Sequence, residues 1–433
     1  MRSTADLAAV LRDLRRRLAD RGGEAKLTFR ELADRTGLSR SAINDYLTGK
    51  VLPPTDRFDI LLTVFEVDPD ERRAFATARD RVEEHLHLTR STRTPERRVP
   101  HELPSGVSAF TGRQAESAAL DRALRTCADT TAPGIAVVWG TAGVGKTALA
   151  THWAHANRHR FPDGEVYLDL RGHHPERPLE PAEALARLIR SVAGDAAVPD
   201  ALEERAARFR TLIADRAVLV VLDNAASVDQ VHDLLPGRGA FTLVTSRHNM
   251  AGLVVRRGAL RIRLDLLPQG DALALLRAVL GHDRVTAEPR AAAALVECCA
   301  RLPLALRIAA EHIAERPAAS LADLVHELRQ EPLGLLDLVG DDRTAPRTVF
   351  SWSYRHLPAH VATAFRRLGS HPGRDIDAPT LAALCDVDIA TARRTLSQLA
   401  NASMVAETDH DRFAPHDLLR GYAAELASPE DTA

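Results

Sequence analysis

Leu7, Val10, Leu11, Leu14 and Leu18 recur at three- and four-residue intervals, the spacing of one face of an α-helix. Thr28-Phe-Arg-Glu31 then forms a capping box that opens a second helix. Ala33, Gly37 and Ile43 follow at helix-turn-helix spacing: a small residue for close approach, a glycine for the turn, an aliphatic to seat the next helix. Ser39 is placed to cap that third helix, and Phe58, Leu61, Leu62 and Phe65 share one side of a fourth, from about Asp56 to Phe65. The pattern lapses from Thr89 to Pro104, which is polar and proline-interrupted and predicts a flexible tether.

A different rhythm begins beyond it. Short apolar runs at 135–139, 166–170, 217–222 and 242–246 alternate with helical stretches, which predicts a parallel sheet with ligands at the carboxyl ends of its strands. Helical periodicity takes over at 271–280, 287–299, 302–314 and 321–330. From about Thr348 short helices lead to a hairpin (404–407 and 412–413) and a last helix after Pro415, so a small β wing is expected. The predicted fold is multidomain α/β: an all-α helix-turn-helix domain (1–88), a linker (89–106), a P-loop domain (107–265), a helical domain (266–343) and a winged-helix domain (344–433).

The chemistry concentrates between the first strand and its helix. Gly140-Thr-Ala-Gly-Val-Gly-Lys-Thr147 fits GxxxxGK[ST] at every fixed position. Gly143 and Gly145 let the backbone turn tightly, so the N–H groups from Gly140 through Val144 to Ala148 can cradle a phosphate chain at a helix amino terminus. Lys146 would supply charge to the β- and γ-phosphates, and Thr147 a hydroxyl for Mg²⁺. The run 217–222 ends at Asp223, placed to hold the same Mg²⁺ as the catalytic carboxylate, and Arg247 ends the next strand, poised for a γ-phosphate. Asn224 stands where a second carboxylate could polarise water, so at most slow ATP hydrolysis is expected. His152, His155 and His159, with the pair His173-His174, read as surface histidines rather than metal ligands.

Composition adds bounds. The net charge of −2 over 433 residues neither demands nor excludes nucleic acid, so a DNA-binding case rests on local features. Four cysteines without ligand spacing suit a reducing compartment. No apolar run approaches a membrane span, and a cytoplasmic protein without membrane contact is expected. Locally, the third helix offers Arg40, Ser41 and Asn44 near its start and Lys50 just beyond, side chains that read base edges or hold phosphates. Asp45 on that face counts against it.

Through LTFRELADRTGLSRSAINDYLTGK the amino-terminal stretch resembles the lambda-repressor-like (XRE-type) DNA-binding domains. Further on, FTGR, GTAGVGKT, LVVLDN, LVTSR, RLPLALR and PHD occur in an order that resembles the NB-ARC nucleotide switches of the STAND class, over residues 107–427. The resemblance implies bound ATP or ADP with Mg²⁺. It places Arg113 by the nucleotide, Pro303 on the adenosine, His416 on the β-phosphate of ADP and Arg247 on the third phosphate. Arg301 and Pro415 depart from the family's usual glycine and methionine. Without the resemblance, Pro303 reads as a helix-initiating proline and His416 as a helix-cap histidine. The function implied is an ATP/ADP switch regulating transcription through residues 1–88. The alternatives are a STAND scaffold, as in defence signalling, whose amino-terminal bundle recruits a protein effector, and a plain P-loop ATPase or kinase. A nucleotide-driven homo-oligomer is expected. The chain stops at Ala433 soon after the last helix, so the signal is expected through a removed segment or a separate sensor or effector protein.

Overall fold

Two compact units divide the chain, residues 1–96 and 97–433. The structure, a computed structural model, describes residues 3–22, 28–92, 99–128, 134–173, 177–194, 197–337 and 345–427.

In the first unit, α1 (Thr4–Gly22) buries Leu7, Leu11, Leu14 and Leu18. The capping box opens α2 (Phe29–Thr36): the Glu31 N–H donates to Thr28 Oγ1 at 3.3 Å, and the Thr28 N–H to Glu31 Oε2 at 2.7 Å. Gly37 ends it at φ 69°, a left-handed turn that costs glycine nothing. Ser39 caps α3 (Arg40–Thr48), which seats Ile43 and Leu47 in the core, and α4 (Thr55–Val64) adds Phe58, Leu61 and Leu62. A fifth helix, α5 (Pro69–Thr92), is not expected from the sequence pattern. Its heavily charged composition hides it, yet Val82 is buried and Phe75 packs on the core. The segment expected to be a tether therefore begins later than Thr89, because α5 continues to Thr92. It also ends earlier. Residues 100–102 pair with the edge of the sheet, Glu165 N–H donating to Pro100 O at 2.8 Å and Glu102 N–H to Glu165 O at 3.0 Å.

The second unit opens with α6 (Gln114–Ala128) and is built on a five-stranded parallel sheet of order β2-β3-β4-β1-β5. The strands are β1 (Gly134–Trp139), β2 (Glu165–Asp169), β3 (Leu219–Ala225), β4 (Phe241–Ser246) and β5 (Leu260–Arg263). Alternation sends Ile135, Val137, Val220 and Leu222 to one core and Ala136, Val138, Leu219 and Val221 to the other. Against the second face packs α7 (Lys146–Ala156), whose Trp153 indole donates to Asp121 Oδ1 at 2.8 Å. The first face is covered by α8 (Pro181–Ala193) and α9 (Leu202–Ile213), with α10 (Val228–His232) and α11 (Ala251–Arg257) beside them.

The second-face core runs on without a break into the helices that follow. These are α12 (Gln269–Leu280), α13 (His282–Ala287), α14 (Pro289–Cys298), α15 (Pro303–Ala314), α16 (Leu321–Gln330) and α17 (Pro332–Asp337). The last group is α18 (Pro346–Tyr354), α19 (Ala359–Ser370), α20 (Ala378–Cys385), α21 (Ile389–Asn401), the antiparallel hairpin β6 (Ala406–Asp409) and β7 (Arg412–Ala414), then α22 (Asp417–Leu426). Because one hydrophobic core joins sheet and carboxyl-terminal helices, the regions 107–265, 266–343 and 344–433 form a single compact unit.

Candidate functional site

The loop between β1 and α7 forms one wall of a cavity of about 540 Å³, within the range of small-molecule sites. Gly143 (φ 77°) and Gly145 (φ 95°) take left-handed backbone there, as a phosphate cradle requires. The loop, from Ala142 to Ala148, lines it together with Tyr167, Asp169, Asp223, Asn224, Thr245 and Arg247 at the strand ends. Val107, Ala109, Leu267, Leu275, Pro303 and Leu304 supply apolar lining. Polar and apolar lining together suit a ligand with an anionic part and a flat apolar part. Pro303 both begins α15 and lines the cavity, and the Leu304 N–H donates to Gly143 O at 3.3 Å, tying the helical region to the loop.

At the polar end, Lys146 Nζ donates to the carbonyls of Gly140 (2.9 Å) and Thr141 (2.8 Å). Burial, then the nearby Arg247 cation, push its pKa down to about 7, with Asp223 opposing. Asp223 accepts from three hydroxyls, those of Thr147 (2.9 and 3.0 Å), Tyr167 (2.8 Å) and Thr245. Burial raises its pKa and those hydrogen bonds oppose the rise. Thr147 and Asp223 thus meet directly, where a Mg²⁺ held by both would draw a hydroxyl and a carboxylate oxygen, the hard ligands it takes.

Arg113 lines the cavity, but its guanidinium is held by its surroundings: it donates to Val144 O (3.2 Å) and Asp265 O (2.7 Å) and pairs with Glu116 (3.0 Å). Arg247, only 8 % exposed, donates to Val349 O (2.8 Å) and Ser353 Oγ (2.7 Å) of α18. His416 is not in this cavity. It lines a smaller one of about 180 Å³ that shares Gly140 and Thr141 with the start of the loop. Its Nδ1 accepts from the Leu419 N–H at 3.3 Å, which caps α22 and leaves the proton on Nε2. That Nε2 is sealed and without a protein partner, and burial lowers the ring's pKa to about 4.

Sequence reasoning missed Tyr167 and Asp169. Both stand on β2 two residues apart, and parallel pairing sets Asp169 opposite Asp223. A second carboxylate, from Asp169, therefore lines the cavity on the neighbouring strand.

His173 is 2 % exposed, with both ring nitrogens unpartnered, and its ring lies 5.2 Å from those of His248 and His356. His173 was expected at the surface, but the turn after β2 folds it in; His174 falls outside the described residues. The groups acting on it are Arg247, His248, His356 and Lys146, all cationic or able to become so. Burial first, then these charges, lower its pKa, and burial also lowers that of His248. A histidine held neutral when folded but free to protonate when unfolded costs stability below its unfolded pKa of about 6.5. The contribution of these histidines to the melting midpoint should be flat above pH 7 and turn unfavourable as pH drops from about 6.5 toward 4. Each such histidine removes up to about 1.4 kcal/mol per pH unit. Thermal unfolding of the chain and of His173→Gln across that range checks this, the variant losing less.

In the first unit, α3 presents Arg40, Ser41 and Asn44 on its exposed side, with Lys50 exposed just past its end. Asp45 is half-buried.

Residues 6–75 match the family model described as a helix-turn-helix domain. The chain is 40 % identical over 334 residues to the regulatory protein AfsR of Streptomyces griseus, an alignment covering 77 % of this chain and 34 % of that protein. With AfsR of Streptomyces coelicolor it shares 39 % identity over 334 residues, covering 76 % and 33 %. A match of that length has to run through most of residues 97–433. In fold, the Walker-type ATPase of Pyrococcus abyssi superposes with a TM-score of 0.52 at 11 % identity, over 74 % of this chain and 99 % of that one. The chain belongs to the family of the AfsR regulatory proteins, with a helix-turn-helix domain at residues 6–75 and a P-loop ATPase fold after it. This AfsR-like chain spans about a third of the length of the curated relatives it matches. Among its described residues no helix is long and apolar enough to cross a membrane.

Proposed function

We propose that the chain is an adenine-nucleotide switch of the NB-ARC type that regulates transcription through its helix-turn-helix domain. The observation that carries this reading is the position of Arg247: one side chain lines the cavity beside Lys146 and Asp223 while gripping α18 of the carboxyl-terminal region. A third phosphate in that cavity and α18 would compete for the same guanidinium.

The residues divide the work. Backbone N–H groups of the loop and Lys146 hold phosphates, Thr147 and Asp223 hold Mg²⁺, and Leu267, Leu275, Pro303 and Leu304 cover the adenosine. The carboxyl-terminal region, with its hairpin read as the wing of a winged helix, closes over the loop near Gly140 and Thr141. Converting a 1:99 population to 99:1 takes about 5.5 kcal/mol, and one hydrogen bond to a charged group gives roughly 1.5–3 kcal/mol. Several contacts must therefore change together. DNA is the proposed partner of α3, through Arg40, Ser41, Asn44 and Lys50. A lone module of this kind covers only about 600–1,000 Å² of DNA, so nucleotide-driven assembly of several chains would supply the rest.

His416→Ala should destabilise the closed arrangement, because the ring caps α22 and packs edge-on against Phe350 at 5.7 Å. Release of a fluorescent ADP analogue should be faster by roughly tenfold, the effect of losing about 1.4 kcal/mol. Unchanged release would remove His416 from the switch.

A further inference from the structure

Arg247 is a buried cation. No carboxylate among the described residues pairs with it, and both oxygens that it grips, Val349 O and Ser353 Oγ, are neutral. Its guanidinium also lies 5.8 Å from the Trp352 ring. All three partners belong to one helix, α18. Phosphate oxygens carry charge and form stronger bonds with an arginine than neutral oxygens do. The backbone next to Arg247 is docked separately. Ser403 Oγ donates to the Arg247 carbonyl at 2.6 Å, and the Asn249 amide bonds to Asn401. The side chain can therefore exchange partners while the strand end stays anchored to the carboxyl-terminal region.

We infer that Ser353 is a positioning residue that sets the preference between nucleoside di- and triphosphate. By holding Arg247 on α18 it withholds that cation from a third phosphate. ADP leaves the grip intact, whereas ATP has to break it before the arginine can bind the γ-phosphate. Ser353 thus disfavours ATP without touching nucleotide. This rests on the nucleotide-switch reading of the cavity.

The test is competition of ADP and a non-hydrolysable ATP analogue against a fluorescent nucleotide on the full chain. Ser353→Ala should raise affinity for the ATP analogue relative to ADP by roughly tenfold or more, as expected for losing one charge-assisted hydrogen bond. Ser353→Thr, which keeps the hydroxyl, should restore the wild-type ratio. Ser403→Ala loosens the same junction without touching the guanidinium, and should leave the ratio unchanged. A wild-type ratio in Ser353→Ala, or equal weakening toward both nucleotides, would overturn the inference while leaving the switch standing. The same shift in Ser403→Ala would also overturn it. A wild-type chain that binds neither nucleotide would end both.

Discussion

Lys146→Ala should leave the chain without measurable ADP or ATP. The lysine is the side-chain cation that rises from the loop itself, and its Nζ is parked on the Gly140 and Thr141 carbonyls, at the edge of the cradle. Removing it forfeits charge-assisted bonds worth roughly 1.5–3 kcal/mol each, so affinity should fall at least a hundredfold. Nucleotide released from purified protein after denaturation, and calorimetric titration, both read this. A second signature follows from the depressed pKa of about 7. Phosphate beside the amine would raise that value, so above pH 7 binding takes up a proton. Affinity should then weaken as pH rises from 7 to 9, by up to about tenfold per unit. Titrations in buffers of different ionisation enthalpy would show the uptake, and a pH-independent affinity would mean that Lys146 does not meet the phosphates.

Arg40→Ala with Asn44→Ala should abolish selective DNA binding. Both side chains are exposed on α3 and take no part in the core formed by Ile43, Tyr46 and Leu47, so the unit should fold as before. Each base-reading contact contributes about 1–3 kcal/mol, which makes the combined loss on the order of a hundredfold or more. Binding to DNA selected from a genomic pool, measured against salt, is the readout. Loss of selectivity with an unchanged melting profile supports DNA as the partner. Full affinity in the double variant would favour a bundle that docks a protein instead.

The local features of this chain were legible because local chemistry makes them. A glycine-rich loop with its lysine, an Asp at the end of an apolar run, a capping box and a serine cap each carry their reason within a few residues. What escaped depends on register and on packing between distant segments. Nothing near Asp169 announces that pairing of β2 with β3 will set it beside Asp223. Pro100 and Glu102 looked like tether because their partner, Glu165, lies more than sixty residues on. Arg247 could be placed at a strand end from sequence, but its hold on Val349 and Ser353 spans about a hundred residues. His416 shows the same limit from the other side: its cap on α22 is local and readable, whereas the sealing of its Nε2 and the cavity it shares with Gly140 and Thr141 emerge only when the regions pack.

Hydrogen exchange of the full chain, with ADP and with a non-hydrolysable ATP analogue, addresses the switch most directly. With ADP, amides of α18 and α22 should be protected. With the analogue they should exchange faster, while β1, β3 and β4 stay unchanged. Identical exchange in α18 and α22 under both nucleotides would contradict a cavity that governs the carboxyl-terminal region.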